Sequence, residues 1–181
     1  IINENNKDIL KAKKRGIKDN LLQRLILNEK KIFEIMNSIK KIIKLKDPTN
    51  KILEKWKRPN GLNISKISIP IGTIGIIYES RPNVTSDVAS LCFKSGNSVI
   101  LKGGSEAIHS NHILSKLFRK ALKKNSVDEN FVQFINIKKR SVVDFLLTKM
   151  QEYIDVIIPR GGKNLVKKVQ NLSLVPIIGH L

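Results

Sequence analysis

The sequence predicts an α/β fold: a parallel sheet with helices on both faces, preceded by an N-terminal helical segment. Three observations predict it. From residue 64 onward, short apolar runs alternate with helical stretches, the pattern of strand–helix–strand units. Those runs are apolar without a polar face, as strands buried between two helical layers must be. Residues 1 to 60 instead carry apolar positions at helical spacing among many charges. The expected division is a helical segment over 1–60 and an incomplete α/β domain over 61–181.

The elements follow in order. Ile9, Leu10 and Ala12 precede Gly16, a helix stop, and Asp19 precedes the apolar set Leu21, Leu22, Leu25 and Ile26. Asn28 is placed to cap a third helix, whose stripe of Ile32, Phe33, Ile35, Met36, Ile39, Ile42 and Ile43 reads as core or subunit-contact surface. Asp47-Pro48 and Arg58-Pro59-Asn60-Gly61 mark a loop region, with a tight turn at the Asn-Gly pair. Strands are then expected at Ile74–Tyr78, Val99–Lys102, Phe131–Asn136, Ile154–Ile158 and, last and shortest, Val175–Ile178. Helices are expected between them: Val84–Lys94 ended by Gly96, Ala107–Lys124, Ser141–Met150, and one opened by Gly161 and Gly162 that runs to about Asn171.

Composition excludes several classes. With 181 residues, 41% of them hydrophobic, the chain can fill a real core. The absence of a long apolar run or a leader-like start leads to an expectation of no membrane partner and a cytoplasmic location. The single cysteine, Cys92, excludes an internal disulfide framework, and its flanks Ala89, Leu91 and Phe93 suggest a buried thiol rather than a nucleophile. Lys and Arg number 34 against 15 acids, a formal charge of +19, yet the cations are scattered and only seven are Arg. No nucleic-acid partner is therefore expected. His109 and His112 lie three apart on an expected helix without a third ligand nearby, so no metal is expected either.

Parallel sheets bind ligands beyond the carboxyl ends of their strands, which directs attention to three loops. The first is Tyr78-Glu79-Ser80-Arg81-Pro82-Asn83, where Arg81 and Asn83 offer a charge and an amide to a bound group. Equally, Asn83 could be a helix cap and Arg81 a surface residue. The second is Lys102-Gly103-Gly104-Ser105-Glu106, whose paired glycines let backbone approach a ligand next to a helix N-terminus. The third, Pro159-Arg160-Gly161-Gly162-Lys163, has the same logic with two cations. Together they suggest a phosphorylated or nucleotide ligand. Neither the G-x-G-x-x-G fingerprint nor a G-x-x-x-x-G-K-[ST] phosphate loop is present, and no activated serine is apparent.

At these loops the sequence resembles a known family. The run Pro70 to Thr85, then Leu91 to Asn97, Ile100 to Ala107 and Ile154 to Gly162 are similar in register to γ-glutamyl phosphate reductases, relatives of the aldehyde dehydrogenases. The resemblance implies an aldehyde-dehydrogenase-like, Rossmann-type domain from the N-terminal, nucleotide-binding part of that enzyme. It implies NADPH-dependent reduction of L-glutamyl 5-phosphate to L-glutamate 5-semialdehyde and phosphate, a step of proline biosynthesis. It further implies cofactor contacts at Lys102, Gly103, Gly104, Ser105, Arg160, Gly161 and Gly162, and substrate contacts at Arg81 and Asn83. The nucleophilic cysteine is expected in a catalytic domain beyond Leu181, so that this chain alone is expected to be inactive; homo-oligomers of the full-length protein are left open. The rival expectation is a non-catalytic remnant or subunit that binds nucleotide or a partner chain.

Overall fold

The computed structural model describes residues 1–179. Helices α1 (Ile2–Lys14), α2 (Asp19–Leu25) and α3 (Glu29–Lys44) occupy the region with helical spacing. Gly16 adopts φ +63°, and the turn closes α1 through Gly16 N–H to Lys13 O and Ile17 N–H to Ala12 O. Asn28 caps α3, its Oδ1 accepting from the Lys31 N–H at 2.9 Å.

The expected loop over 47–61 is partly corrected. Strands β1 (Ile52–Lys57) and β2 (Asn63–Ile67) form an antiparallel hairpin across the 60/61 division. Its turn lies where the Asn60-Gly61 pair suggests, with Gly61 at φ +88°. The strands themselves escaped sequence reading because the hairpin is exposed on both faces, apart from a half-buried Ile64, so no alternation of polar and apolar residues marks them.

Four parallel strands follow: β3 (Thr73–Tyr78), β4 (Ser98–Lys102), β5 (Val132–Phe134) and β6 (Val156–Arg160), in the order β5-β4-β3-β6. Helices α4 (Asn83–Lys94), α5 (Ile108–Lys124), α6 (Ser141–Thr148) and α7 (Lys163–Leu172) cover them. The alternation of β3 distributes the core. Ile74, Ile76 and Tyr78 pack with Ala89, Cys92 and Leu122 of α4 and α5, while Ile77 packs with Leu146, Leu147 and Val169 of α6 and α7. Helices on both faces, as expected, make both sides of the sheet apolar. Two expected strands are shorter than their apolar runs. β5 has three residues, since Glu129–Phe131 form a 3-10 turn, and Val175–Ile178 contributes one parallel bridge, Ile177 to Ile157.

The helical segment is bound to the sheet domain by buried polar contacts. Asn5 donates to Leu25 O at 2.8 Å and Ser110 Oγ at 3.0 Å, and accepts from the Leu27 N–H at 2.8 Å. Asp8 is also fully buried, and its carboxylate accepts from the N–H groups of His109 and Ser110, at 3.2 and 2.8 Å, and from the Ser110 hydroxyl at 2.7 Å. Helix α5 has no side-chain cap of its own. Asp8 thus satisfies the first N–H groups of α5 from a different helix and places a carboxylate at its positive end. No helix among the described residues is long and apolar enough to cross a membrane.

Candidate functional site

The order β5-β4-β3-β6 reverses direction at β3: two successive strands lie to one side, and β6 lies on the other. Such a reversal leaves a crevice beyond the carboxyl ends of β3 and β6, because the loops there diverge to opposite faces. All three loops selected from the sequence open on this edge. Lys102, Gly103, Gly104 and Ser105 line a cleft of about 700 Å³ together with Glu79 and Ser80. Arg160, Gly161 and Gly162 line an adjoining cleft of about 390 Å³, with Arg81 and again Glu79 and Ser80. Arg81 and Asn83 border a third, of about 500 Å³, against α2 and α3.

Two carboxylates tie the loops together. Glu79, just past β3, accepts from the Gly162 N–H at 2.9 Å, at the N-terminus of α7. Glu106, just past β4, accepts from the Ser80 N–H at 3.0 Å and from the Ser80 hydroxyl. These acids explain two of the glycines. A Cβ on Gly104 would collide with the Glu106 carboxylate, and one on Gly161 would lie 2.7 Å from the Glu79 carboxyl carbon and 2.8 Å from Leu165 Cδ2.

Gly103 is confined differently. It packs against Asn111 and the Tyr78 ring, where an added Cβ would overlap Asn111 Nδ2 and sit 2.9 Å from the phenol ring. That wall is a buried chain of hydrogen bonds: Tyr78 donates to Thr85 Oγ1 at 2.6 Å, and Thr85 donates to Asn111 Oδ1 at 3.1 Å. Burial pushes the Tyr78 phenol well above its ordinary value, against a smaller opposing effect of the Thr85 hydrogen bond, so Tyr78 stays protonated. None of Gly103, Gly104, Gly161 and Gly162 has a positive φ, so what these positions require is space.

Lys102 is buried and donates to Gly103 O at 2.9 Å. Burial lowers its pKa, partly offset by the Glu106 carboxylate. Around it the 700 Å³ cleft collects Arg15, Lys18, Lys138, Lys139 and Arg140. Sequence reading missed all five. Lys138 to Arg140 lie in the loop after β5, so the carboxyl-edge rule could have found them; Arg15 and Lys18 come from the turn after α1, and nothing local marks them. Asn83 does not cap α4. Its amide donates to Asp87 Oδ2 at 3.1 Å, and Ser38 Oγ holds the other oxygen at 2.9 Å.

The remaining candidates lie elsewhere. Cys92 is in the core between α4 and the sheet, with its thiol pushed up to about 11 by burial. His109 Nε2 lies 2.6 Å from Lys11 Nζ, and the His112 ring lies tilted against Phe134, with centroids 6.1 Å apart. The described residues contain no group of three or more side chains placed to hold a metal ion.

Comparison with known proteins agrees with this architecture. A probable aldehyde dehydrogenase from Listeria monocytogenes superposes with a TM-score of 0.68 at 16% identity, over 98% of this chain and 37% of that one. The fold is thus aldehyde-dehydrogenase-like. A crystal structure of γ-glutamyl phosphate reductase from Thermotoga maritima matches more closely, with a TM-score of 0.94 and 42% identity over 97% of this chain and 42% of that one. The curated γ-glutamyl phosphate reductase of Petrotoga mobilis is 49% identical over 178 residues, 98% of this chain and 42% of that protein. Within its fold class the chain is similar over nearly its whole length to γ-glutamyl phosphate reductases, and it spans less than half the length of these relatives. No protein-family profile matches it.

Proposed function

We propose that this chain forms the N-terminal, nucleotide-binding part of an NADPH-dependent γ-glutamyl phosphate reductase, with residues 61–181 as the binding domain and the helices of 1–60 packed on it, the exposed hairpin of β1 and β2 spanning the join. The whole enzyme reduces L-glutamyl 5-phosphate to L-glutamate 5-semialdehyde and phosphate, in the cytoplasm, for proline biosynthesis. One observation carries the reading: at the crevice of a parallel sheet, a nucleotide-sized cleft is lined by six cations and two carboxylates.

The donor set fits a phosphorylated cofactor. Lys102 and the cations of the rim would hold its phosphates, and the glycine turn at Gly103 and Gly104, with Ser105, brings backbone to the same wall. The helix N-terminus at Gly162 is an anion site in principle, but Glu79 holds its N–H. A phosphate could take that donor only by displacing the Glu79 carboxylate. NADPH, when bound, supplies the hydride for the reduction. Arg81 and Asn83 would face the substrate's reacting end, and Arg160 would border both ligands. The cysteine nucleophile of such an enzyme belongs to a domain outside these residues, because Cys92 is buried and its thiol resists ionisation.

Titration of the chain with NADPH, followed by nicotinamide fluorescence, tests this. Saturable binding is expected, tighter for NADPH than for NADH, and weakened by roughly tenfold in Lys102→Ala, the loss of one charged contact. Equal, non-saturating responses to both nucleotides would sink the proposal.

A further inference from the structure

The 500 Å³ groove beyond Arg81 differs in charge from the cofactor cleft. It lies between α2, α3 and the first turns of α4, over the buried side chains Leu27 and Ile35. Five charged groups border it: Arg24, Lys31 and Arg81, with Glu34 and Asp87. Lys31 is committed, its ammonium donating to Gln23 O and Ile26 O at 2.6 and 2.9 Å. Among the described residues, none of the other four makes an ion pair within 4.0 Å. Asp87 is nonetheless fixed. Its two oxygens accept from Ser38 and Asn83, neutral donors that orient the carboxylate without neutralising it.

Each single-charge ligand leaves this groove unsatisfied. A simple anion would lie against the oriented Asp87 and Glu34, and a simple cation against Arg24 and Arg81. A ligand bearing both signs close together can satisfy Asp87, Glu34 and Arg24 at once. We propose that the groove binds an α-amino acid head group, with Asp87 and Glu34 receiving the ammonium and Arg24 the α-carboxylate. Arg81, which borders this groove and the cleft at Gly161, joins the head-group site to the reacting end. This rests on the reading of the protein as an L-glutamyl 5-phosphate reductase and adds the residues that select an amino acid.

Three probes separate the two charges: L-glutamate, glutarate, which lacks the ammonium, and 4-aminobutyrate, which lacks the α-carboxylate. Binding to the chain is followed by calorimetry. L-Glutamate is expected to bind at least about tenfold more tightly than either analogue, the worth of one charged hydrogen bond. Asp87→Asn should erase its advantage over glutarate and keep that over 4-aminobutyrate; Arg24→Gln should do the reverse. Arg24 makes no side-chain hydrogen bond or ion pair among the described residues, so its replacement leaves the fold intact and keeps the test valid if Asp87→Asn melts early. Glutarate binding as well as L-glutamate, uniform weakening of all three probes in Arg24→Gln, or no saturable L-glutamate binding would each overturn the proposal. NADPH titrated into the same proteins keeps the two readings apart. Failure of the L-glutamate test with NADPH still bound removes the head-group site alone, whereas failure of NADPH removes the cofactor reading.

Discussion

Gly103→Ala is the sharpest test of what the glycine turn after β4 is for. The new methyl group would overlap the Asn111 amide and lie 2.9 and 3.0 Å from two Tyr78 ring atoms, with both residues buried. An ordinary contact is about 3.5–4.0 Å, so the amide must move by more than an ångström. Overpacking of this kind costs about 1–3 kcal/mol. Asn111 would also give up its hydrogen bond from Thr85, a further 1 kcal/mol or so. The sum, about 3 kcal/mol, corresponds to a fall in Tm of roughly 6–12 °C for a domain of this size. Gly162→Ala is the control, because its nearest neighbour, Glu79 Oε2, lies at 3.8 Å and the change should stay within about 0.5 kcal/mol. Thermal unfolding followed by circular dichroism reads both. If Gly103→Ala melts with the wild type, or the two variants fall together, the packing argument is refuted.

Three further outcomes are expected. Asp8→Ala removes the acceptor of three buried hydrogen bonds and the carboxylate at the start of α5, and should cost about 2–3 kcal/mol in urea unfolding; a cost below 0.5 kcal/mol would deny Asp8 its capping role. The Cys92 thiol, raised from 9.0 to about 11, favours the folded state fully below pH 9, and that contribution is lost as pH climbs toward 11. The wild type should therefore lose about 2–3 kcal/mol more than Cys92→Ala across that window, with parallel pH profiles as the contrary result. Glu79→Gln takes a negative charge from the exposed N-terminus of α7 and from the cleft around Lys102; if that cleft binds NADPH as proposed, NADPH affinity should rise several-fold while stability falls by no more than about 0.5 kcal/mol, and an unchanged affinity would show that phosphate never competes for the Gly162 N–H.

Local sequence specified the helix–strand alternation after residue 64, the caps at Asn28 and Gly16, the turn at Asn60-Gly61 and the three loops beyond the carboxyl ends of the strands. These are local consequences of side-chain chemistry: apolar runs demand burial, glycine permits positive φ, and asparagine caps a helix. Tertiary structure decided the rest. It put β6 beside β3 and so created the crevice, raised an exposed hairpin from a stretch without alternation, and drew Arg15 and Lys18 to the 700 Å³ cleft around Lys102. It also chose partners far apart in the chain, Asp8 for the start of α5 at a separation of 102 residues and Glu79 for Gly162 at 83. An acidic residue on a surface helix and one that caps a distant helix have the same local sequence. Only the packing of α1 on α5, and of the β3 loop on α7, distinguishes them, because a carboxylate's role is set by which unpaired N–H groups the fold carries to it.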